Sequence, residues 1–581
     1  MTRSETLSRN ALLSISLVLL AALYGPERDS AKAQTQSVPT SREISLTGPE
    51  LSAQGREWLS AAINVGTFSD LRWSDFSDYR LHVKRFYGLN QGSLWWVRGM
   101  QPTLQAQQMI LLFTQAAQKG LTAEDYDALK WNERLAKLRP RAQQADEADA
   151  VKFDLALTIC AMRYISDLHM GKVNPKRLAF ALENTSRLYD LPEFLRDHVV
   201  NESDVASALE QVEPPYPGYR RTLRALQTYI QLAGKDDGEQ LPPSGKSIVP
   251  GDRYAGIPRL ARLLRLVGDL SPEVTVTPEQ TIYTGVLVDA VKNFQRRHGR
   301  EPNGTIDTQT LADLNVPLTQ RVRQMQLTLE RWRWLPEAYR NAPIVVNIPE
   351  FRLRAYDQNF NIAVTMNVVV GRALGHNTPV FSEMLQYVIF RPYWEVPPSI
   401  TRAEIVPHLL RDPGYLAKKD LEVVGPQRNV VAAGAVTSDL LAQLRAGKLA
   451  LRQKPGPKNS LGLVKFVFPN SYNVYLHDTP ATELFAKSRR DFSHGCIRLE
   501  KPADLAAWVL RDNSGWTVDR IRAAMDGDLP QQVNLSHPIP VLILYGTVIV
   551  LEDGLVRFYD DIYGHDAALQ KILDKGYPYP W

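Results

Sequence analysis

From about residue 50 to 240 the apolar positions recur at helical spacing. Met109-Ile110-Leu111-Leu112-Phe113 runs on to Ala116, and Phe153, Leu155, Leu157, Met162, Tyr164 and Ile165 continue the pattern. This predicts a helical domain over residues 51–245, closed by the break at Gly234-Lys235-Asp236-Asp237-Gly238 and Pro242-Pro243-Ser244-Gly245. Residues 251–318 predict a second, compact helical unit. Leu287, Val291, Phe294 and His298 fall on one face, Pro302-Asn303-Gly304-Thr305 makes a turn, and a further helix begins at Thr308 with Leu311 and Leu314. From about residue 340 the period changes to two. Strands are predicted at 344–348, 352–356, 362–371, 385–390, 464–468 and 472–476, followed by a hairpin of 541–551 and 556–559 turning through Glu552-Asp553-Gly554. Many short strands with few helices between them predict a mainly antiparallel β-sandwich over residues 340–581, so the fold class is multidomain α+β. Residues 399–460 interrupt the alternation with helix signals and with Pro455-Gly456-Pro457. An insertion of that length between strands is usually functional and predicts a cap or lid.

The first residues read differently. Arg3 and Arg9 precede the apolar stretch 11–24, whose 14 residues fall short of the roughly 20 that span a bilayer. Ala31-Lys32-Ala33 then offers a small-x-small cleavage pattern, so residues 1–33 predict a signal peptide and residues 34–50, polar and rich in Ser, Thr and Pro, a linker. An uncleaved membrane anchor is the alternative.

Composition narrows the function classes. With 44% hydrophobic and 23% charged residues over 581 positions, the chain is an ordinary globular protein of several domains. The net charge is only +5, from 68 basic and 63 acidic side chains, and no basic stripe marks a nucleic-acid partner. The two cysteines differ in setting. Cys160 lies in an apolar helical run and reads as a small buried hydrophobe. His169, near the end of the same run, reads as a cap or packing residue. Cys496 sits beside Gly495.

The informative segments are Tyr475-Leu476-His477-Asp478-Thr479 and Ser493-His494-Gly495-Cys496-Ile497-Arg498. A cysteine nucleophile needs a base or a positive field to favour thiolate, and main-chain N–H groups aimed at the developing oxyanion. Gly495 allows close backbone approach and unusual dihedral angles. His477 and His494 are both candidates for the base, and the spacing does not choose between them. The residues alone therefore point to cysteine acyl transfer. No metal-ligand spacing occurs.

Those two segments, together with Tyr393-Trp394-Glu395-Val396-Pro397-Pro398, residues 372–381 (RALGHNTPVF) and residues 455–469 (PGPKNSLGLVKFVFP), resemble the large periplasmic L,D-transpeptidases. Residues 290–299 (AVKNFQRRHG) and 303–315 (NGTIDTQTLADLN) resemble the three-helix peptidoglycan-binding domain. The resemblance implies a helical scaffold domain, a peptidoglycan-binding domain and a catalytic domain with a capping insertion. It implies Cys496 as nucleophile, His477 as general base, and His494, Gly495 and Cys496 as main-chain donors of an oxyanion hole whose turn Ser493 shapes. Arg498 would anchor the loop or a substrate carboxylate, Tyr475 and Trp394 would wall the cleft, and Asp478 would be a loop hydrogen bonder. The implied enzyme is a cysteine acyltransferase that releases D-Ala and forms 3→3 cross-links between meso-diaminopimelate residues, without metal or organic cofactor, and that carbapenems would acylate. The implied location is the periplasm. The implied partners are peptidoglycan stem peptides and other wall-synthesis enzymes, with no nucleic acid, for a monomer. Two rivals remain: a same-fold enzyme that attaches or releases a wall-linked lipoprotein, and a non-catalytic wall-binding scaffold. A papain-like peptidase is disfavoured, because there the cysteine precedes its histidine.

Overall fold

The computed structural model describes residues 51–138, 146–182, 190–277, 279–341, 343–373, 375–431 and 436–577. The expected signal segment and linker lie outside them. Among the described residues no helix is long and apolar enough to cross a membrane.

The helical scaffold is organised by one long helix, Glu147–Met170, which the Asp146 side chain caps by accepting from the Ala148 N–H. Nearly every residue from 150 to 168 is buried, as a helix apolar on all sides requires. Its buried polar groups are paired. Asp154 accepts from the Trp96 N–H at 2.6 Å and the Tyr87 hydroxyl at 2.7 Å, and burial pushes its carboxyl up to about 6. Cys160 is fully buried on this helix, and burial drives its thiol far above the usual range. His169 Nδ1 lies 3.0 Å from the Val212 carbonyl, a packing role at the helix end.

The second helical unit holds the helices Ile257–Leu266, Val286–Arg297 and Thr308–Leu314. Two β-bridges, Ile248 with Ile306 and Arg253 with Ile282, tie its loops over a core that includes Leu260, Leu264, Leu287, Val291 and Phe294. His298 lies just past the second helix rather than on it. Its buried ring stacks on Phe294 and on Phe558 of the catalytic part, while Arg297 Nη1 donates to the Val556 carbonyl at 3.0 Å.

The strands of the catalytic part form a nine-stranded sheet. Here the structure corrects the expected sandwich. The strand Arg352–Tyr356 pairs with Ile344–Asn347 on one side and Ile362–Gly371 on the other, so eight strands close into a barrel and Asp491–Ser493 adds to its rim. Alternation cannot distinguish the two outcomes, since both bury one face of every strand. One interior, with Leu353, Met366, Val368, Leu385, Phe466, Leu476, Ile497 and Ile543, takes all the inward side chains. Most pairings are antiparallel, but Leu476–His477 runs parallel to Ile497–Leu499. The strand Gln531–Leu544 starts well before the expected position 541. Its first half is polar and contains Pro538, which falls where the register shifts between Asn534 and Ile539.

The insertion has structure of its own. Trp394–Glu395, Ala450–Gln453 and Leu421–Val424 make a three-stranded antiparallel sheet. The helices Val406–Arg411 and Ser438–Ala446 join it around a small core of Val406, Leu409, Val423, Leu444 and Leu451. Thr437 caps the latter helix by accepting from the Leu440 N–H, and Gly447 at φ 71° ends it.

Candidate active site

Strand register assembles the site. Leu476 lies opposite Ile497, and successive side chains alternate between faces. Leu476, Ile497 and Leu499 therefore enter the barrel core, which leaves Tyr475, His477, Cys496 and Arg498 on the outer face. Lys465, opposite His477 in the neighbouring antiparallel strand, joins them. The Ile497 N–H donates to the Tyr475 carbonyl at 3.1 Å and locks the cysteine end of the pair.

His477 is buried, and its Nδ1–H donates to the Asp478 main-chain carbonyl. That bond fixes the tautomer and leaves Nε2 with a lone pair able to take a proton. Burial, then the positive charges of Arg498 and Lys465, hold the imidazole down to about 3, so it is neutral at ordinary pH. Cys496 is half-buried, with Sγ 3.7 Å from the Asn473 carbonyl oxygen. Burial pushes its thiol up; hydrogen bonds from the Tyr475 backbone and side chain, and the charges of Lys465 and Arg498, pull the other way. The resting pair is thus a neutral thiol with a neutral imidazole, in a positive field that favours thiolate once the proton moves.

The walls are aromatic and cationic. The Tyr475 ring lies 5.7 Å from the His477 ring, and Lys465 Nζ sits 3.7 Å from the Tyr475 ring centre. Burial lowers the Lys465 ammonium from its ordinary value. The Arg498 side chain makes no hydrogen bond among the described residues and faces Cys496 and Glu483 only through space.

The loop before the nucleophile is held by side chains. Ser493 Oγ donates to the Cys496 carbonyl at 2.6 Å and accepts from the Gly495 N–H at 3.1 Å. Ser493 thus accepts the Gly495 N–H that the resemblance assigns to an oxyanion hole. Thr378 Oγ1 donates to the Gly495 carbonyl at 2.8 Å and accepts from the Gly371 N–H at 2.8 Å. Gly495 has φ 120°, where a side chain is strained, although a Cβ would meet nothing nearer than 3.8 Å. The glycine is required by dihedral angle and not by space. Asp478 takes no part in orienting the imidazole through its carboxylate, whose oxygens accept from the Leu463 and Thr479 N–H groups at 2.8 and 2.7 Å.

The His494 side chain leaves the loop altogether. Its Nε2 lies 2.5 Å from Glu404 Oε1 in the insertion, and its ring meets the His376 ring edge-on at 4.8 Å. Of the two histidines, His477 shares the cysteine's face, whereas the His494 ring contacts Glu404 of the insertion.

Comparison with known proteins agrees with this geometry. Residues 342–541, which contain both catalytic segments, match the L,D-transpeptidase catalytic domain. This part of the chain is similar to L,D-transpeptidase catalytic domains. Residues 82–226 match a scaffold domain, and residues 256–314 match a family described as "Putative peptidoglycan binding domain". A Haemophilus influenzae protein named "Putative L,D-transpeptidase" is 29% identical over 247 residues, 42% of this chain and 49% of that one, so the match spans about half the relative's length.

The catalytic domain also uses residues that sequence reasoning missed. Lys465 occupied an unremarkable outward position in a predicted strand, and only the register with His477 gives it a role. Thr378 lay inside the quoted segment 372–381 without a reason attached. Nothing in the sequence pointed to Glu404, since its contact depends on how the insertion folds back.

Proposed function

We propose that the protein is a peptidoglycan L,D-transpeptidase that forms 3→3 cross-links through a thioester on Cys496. The observation that carries this reading is the Nδ1–H bond from His477 to the Asp478 carbonyl, which leaves Nε2 as the proton acceptor on the face shared with Cys496. Cys496 Sγ attacks the carbonyl carbon between meso-diaminopimelate and the terminal D-Ala of a tetrapeptide stem while His477 Nε2 takes the thiol proton. The oxyanion is met by the main-chain N–H groups of His494 and Cys496. Collapse breaks the C–N bond, and His477 returns the proton to the departing D-Ala amine. The side-chain amine of a second stem then attacks the thioester; His477 accepts its proton and gives it to the sulfur as the new amide forms.

The unpartnered Arg498 guanidinium is suited to a carboxylate of the donor stem. Tyr475 and Trp394 line the approach. The scaffold and peptidoglycan-binding-like units fit a cell-wall-associated protein working in the periplasm, and carbapenems would acylate the same thiol. The reading divides the chain into a scaffold at 51–245, a peptidoglycan-binding-like unit at 251–318 and a catalytic domain at 340–581 with a cap at 399–460. Incubation with purified tetrapeptide muropeptides tests the reading. Free D-Ala and dimers joined through two diaminopimelate residues support it; the absence of both overturns it.

A further inference from the structure

The outer face that bears the active site continues around the barrel. Arg498 lies opposite Val369, the Glu500 N–H meets the Asn367 carbonyl, and Asn367 in turn lies opposite Arg352 of the next strand. There a cleft of about 780 Å³ opens between the barrel and residues 296–302 of the peptidoglycan-binding-like unit. Six of its lining side chains are cationic: Arg296, Arg300, Arg352, Lys487, Arg489 and Arg490.

Most of the negative charge nearby is already committed. Asp560 pairs with Arg300, Glu350 holds Arg354 in a two-point ion pair, and Asp491 takes Arg489. Glu301 is the remaining acid of the lining. Among the described residues no carboxylate pairs with Arg296, Arg352 or Lys487. Arg490 is buried and donates only to main-chain carbonyls and to Asn367 Oδ1. Its guanidinium is pulled down to about 10 by burial and then by the charge of Arg352. Phe492, 39% exposed, places an aromatic ring beside Lys487 at 5.0 Å from its ammonium, and is followed in the chain by Ser493 of the catalytic loop.

We propose that this cleft is a second, non-catalytic binding site for the carboxylate-bearing peptide stems of the wall polymer, held between the peptidoglycan-binding-like unit and the barrel. Arg352 and Lys487 take the carboxylates, and Phe492 takes the apolar part of the strand. The inference rests on the wall-polymer reading above, and it deepens that reading by assigning the grip on the polymer to a site apart from Cys496. A site that engages stems away from the reacting one raises the effective concentration of the polymer at the active site.

The test uses the Arg352→Gln/Lys487→Glu double variant in two backgrounds. In full-length Cys496→Ala protein, binding to purified sacculi is measured by co-sedimentation over a salt series. In the active protein, turnover is measured on a monomeric tetrapeptide muropeptide. We expect roughly tenfold weaker sacculus binding with a shallower salt dependence, and monomer turnover within about twofold of the parent. Sacculi stripped of stems by an amidase should bind the parent weakly and show no further loss in the variant. Unchanged binding of intact sacculi, or an equal loss on stripped glycan, overturns the proposal. A parallel fall in monomer turnover also overturns it, by showing that the substitutions act through the fold. Should the parent make no cross-links at all, the catalytic reading fails while the binding comparison still decides this one.

Discussion

Glu404 Oε1 of the insertion lies 2.5 Å from Nε2 of His494, two residues before the nucleophile. The inserted subdomain thus reaches the Cys496 loop itself and has a folded core of its own. A seated cap would exclude water from the thioester until the amine acceptor arrives.

Glu404→Ala should raise hydrolysis relative to cross-linking, not merely lower both. Both side chains are partly exposed, at 29% and 46%, so stability should change by no more than about 1 kcal/mol. Product ratios from mass analysis, with thermal melts alongside, check this; a parental product ratio in the variant would sink the role of the contact.

Lys465→Met removes a cation that favours thiolate at Cys496. The pH midpoint for alkylation of Cys496 by a small haloacetamide should move upward, and Arg498→Gln should act in the same direction. A midpoint unchanged in both variants would show that the two charges do not set the thiol's reactivity.

His477 also ties stability to pH. Its folded-state pKa, about 3, lies below the ordinary 6.5, so the unfolded chain binds the proton more readily. Its contribution is fully present above about 6.5 and is lost as pH falls from there towards 3, so unfolding free energy should drop with acid over that window. His477→Gln should show a shallower decline in urea titrations at successive pH values. The same neutral imidazole predicts that acylation by the parent shows no inflection near 6.5, where an unperturbed histidine would titrate.

Gly495→Ala should cost about 1–3 kcal/mol, because alanine is strained at φ 120°. It should also impair acylation by displacing the Cys496 main chain, whereas Cys160→Ala should leave turnover unchanged. Urea unfolding and single-turnover kinetics separate the two effects.

The parts of this molecule that were legible in the sequence are those that local pattern controls. Period two located the strands at 352–356 and 362–371, and helical spacing located the buried helix that carries Cys160. Closure of the sheet was not legible, because it depends on which strand finds the second edge of Arg352–Tyr356. The short strands Asp491–Ser493 and Ile497–Leu499 hid inside the catalytic motif, where three residues each are too few to show alternation. The motif drew attention to Cys496, but the geometry of its loop was not legible. That Ser493 takes the Gly495 N–H follows from a turn whose dihedral angles the sequence only permits.

The most direct test of the thioester mechanism is the intact mass of the protein quenched in acid seconds after mixing with a tetrapeptide stem. The account predicts a single adduct of the stem's tripeptide acyl group, mapped to Cys496, with one equivalent of D-Ala released and no adduct on Cys496→Ala. Cross-linked product from a protein that never carries that mass, or an adduct that survives in Cys496→Ala, would contradict it.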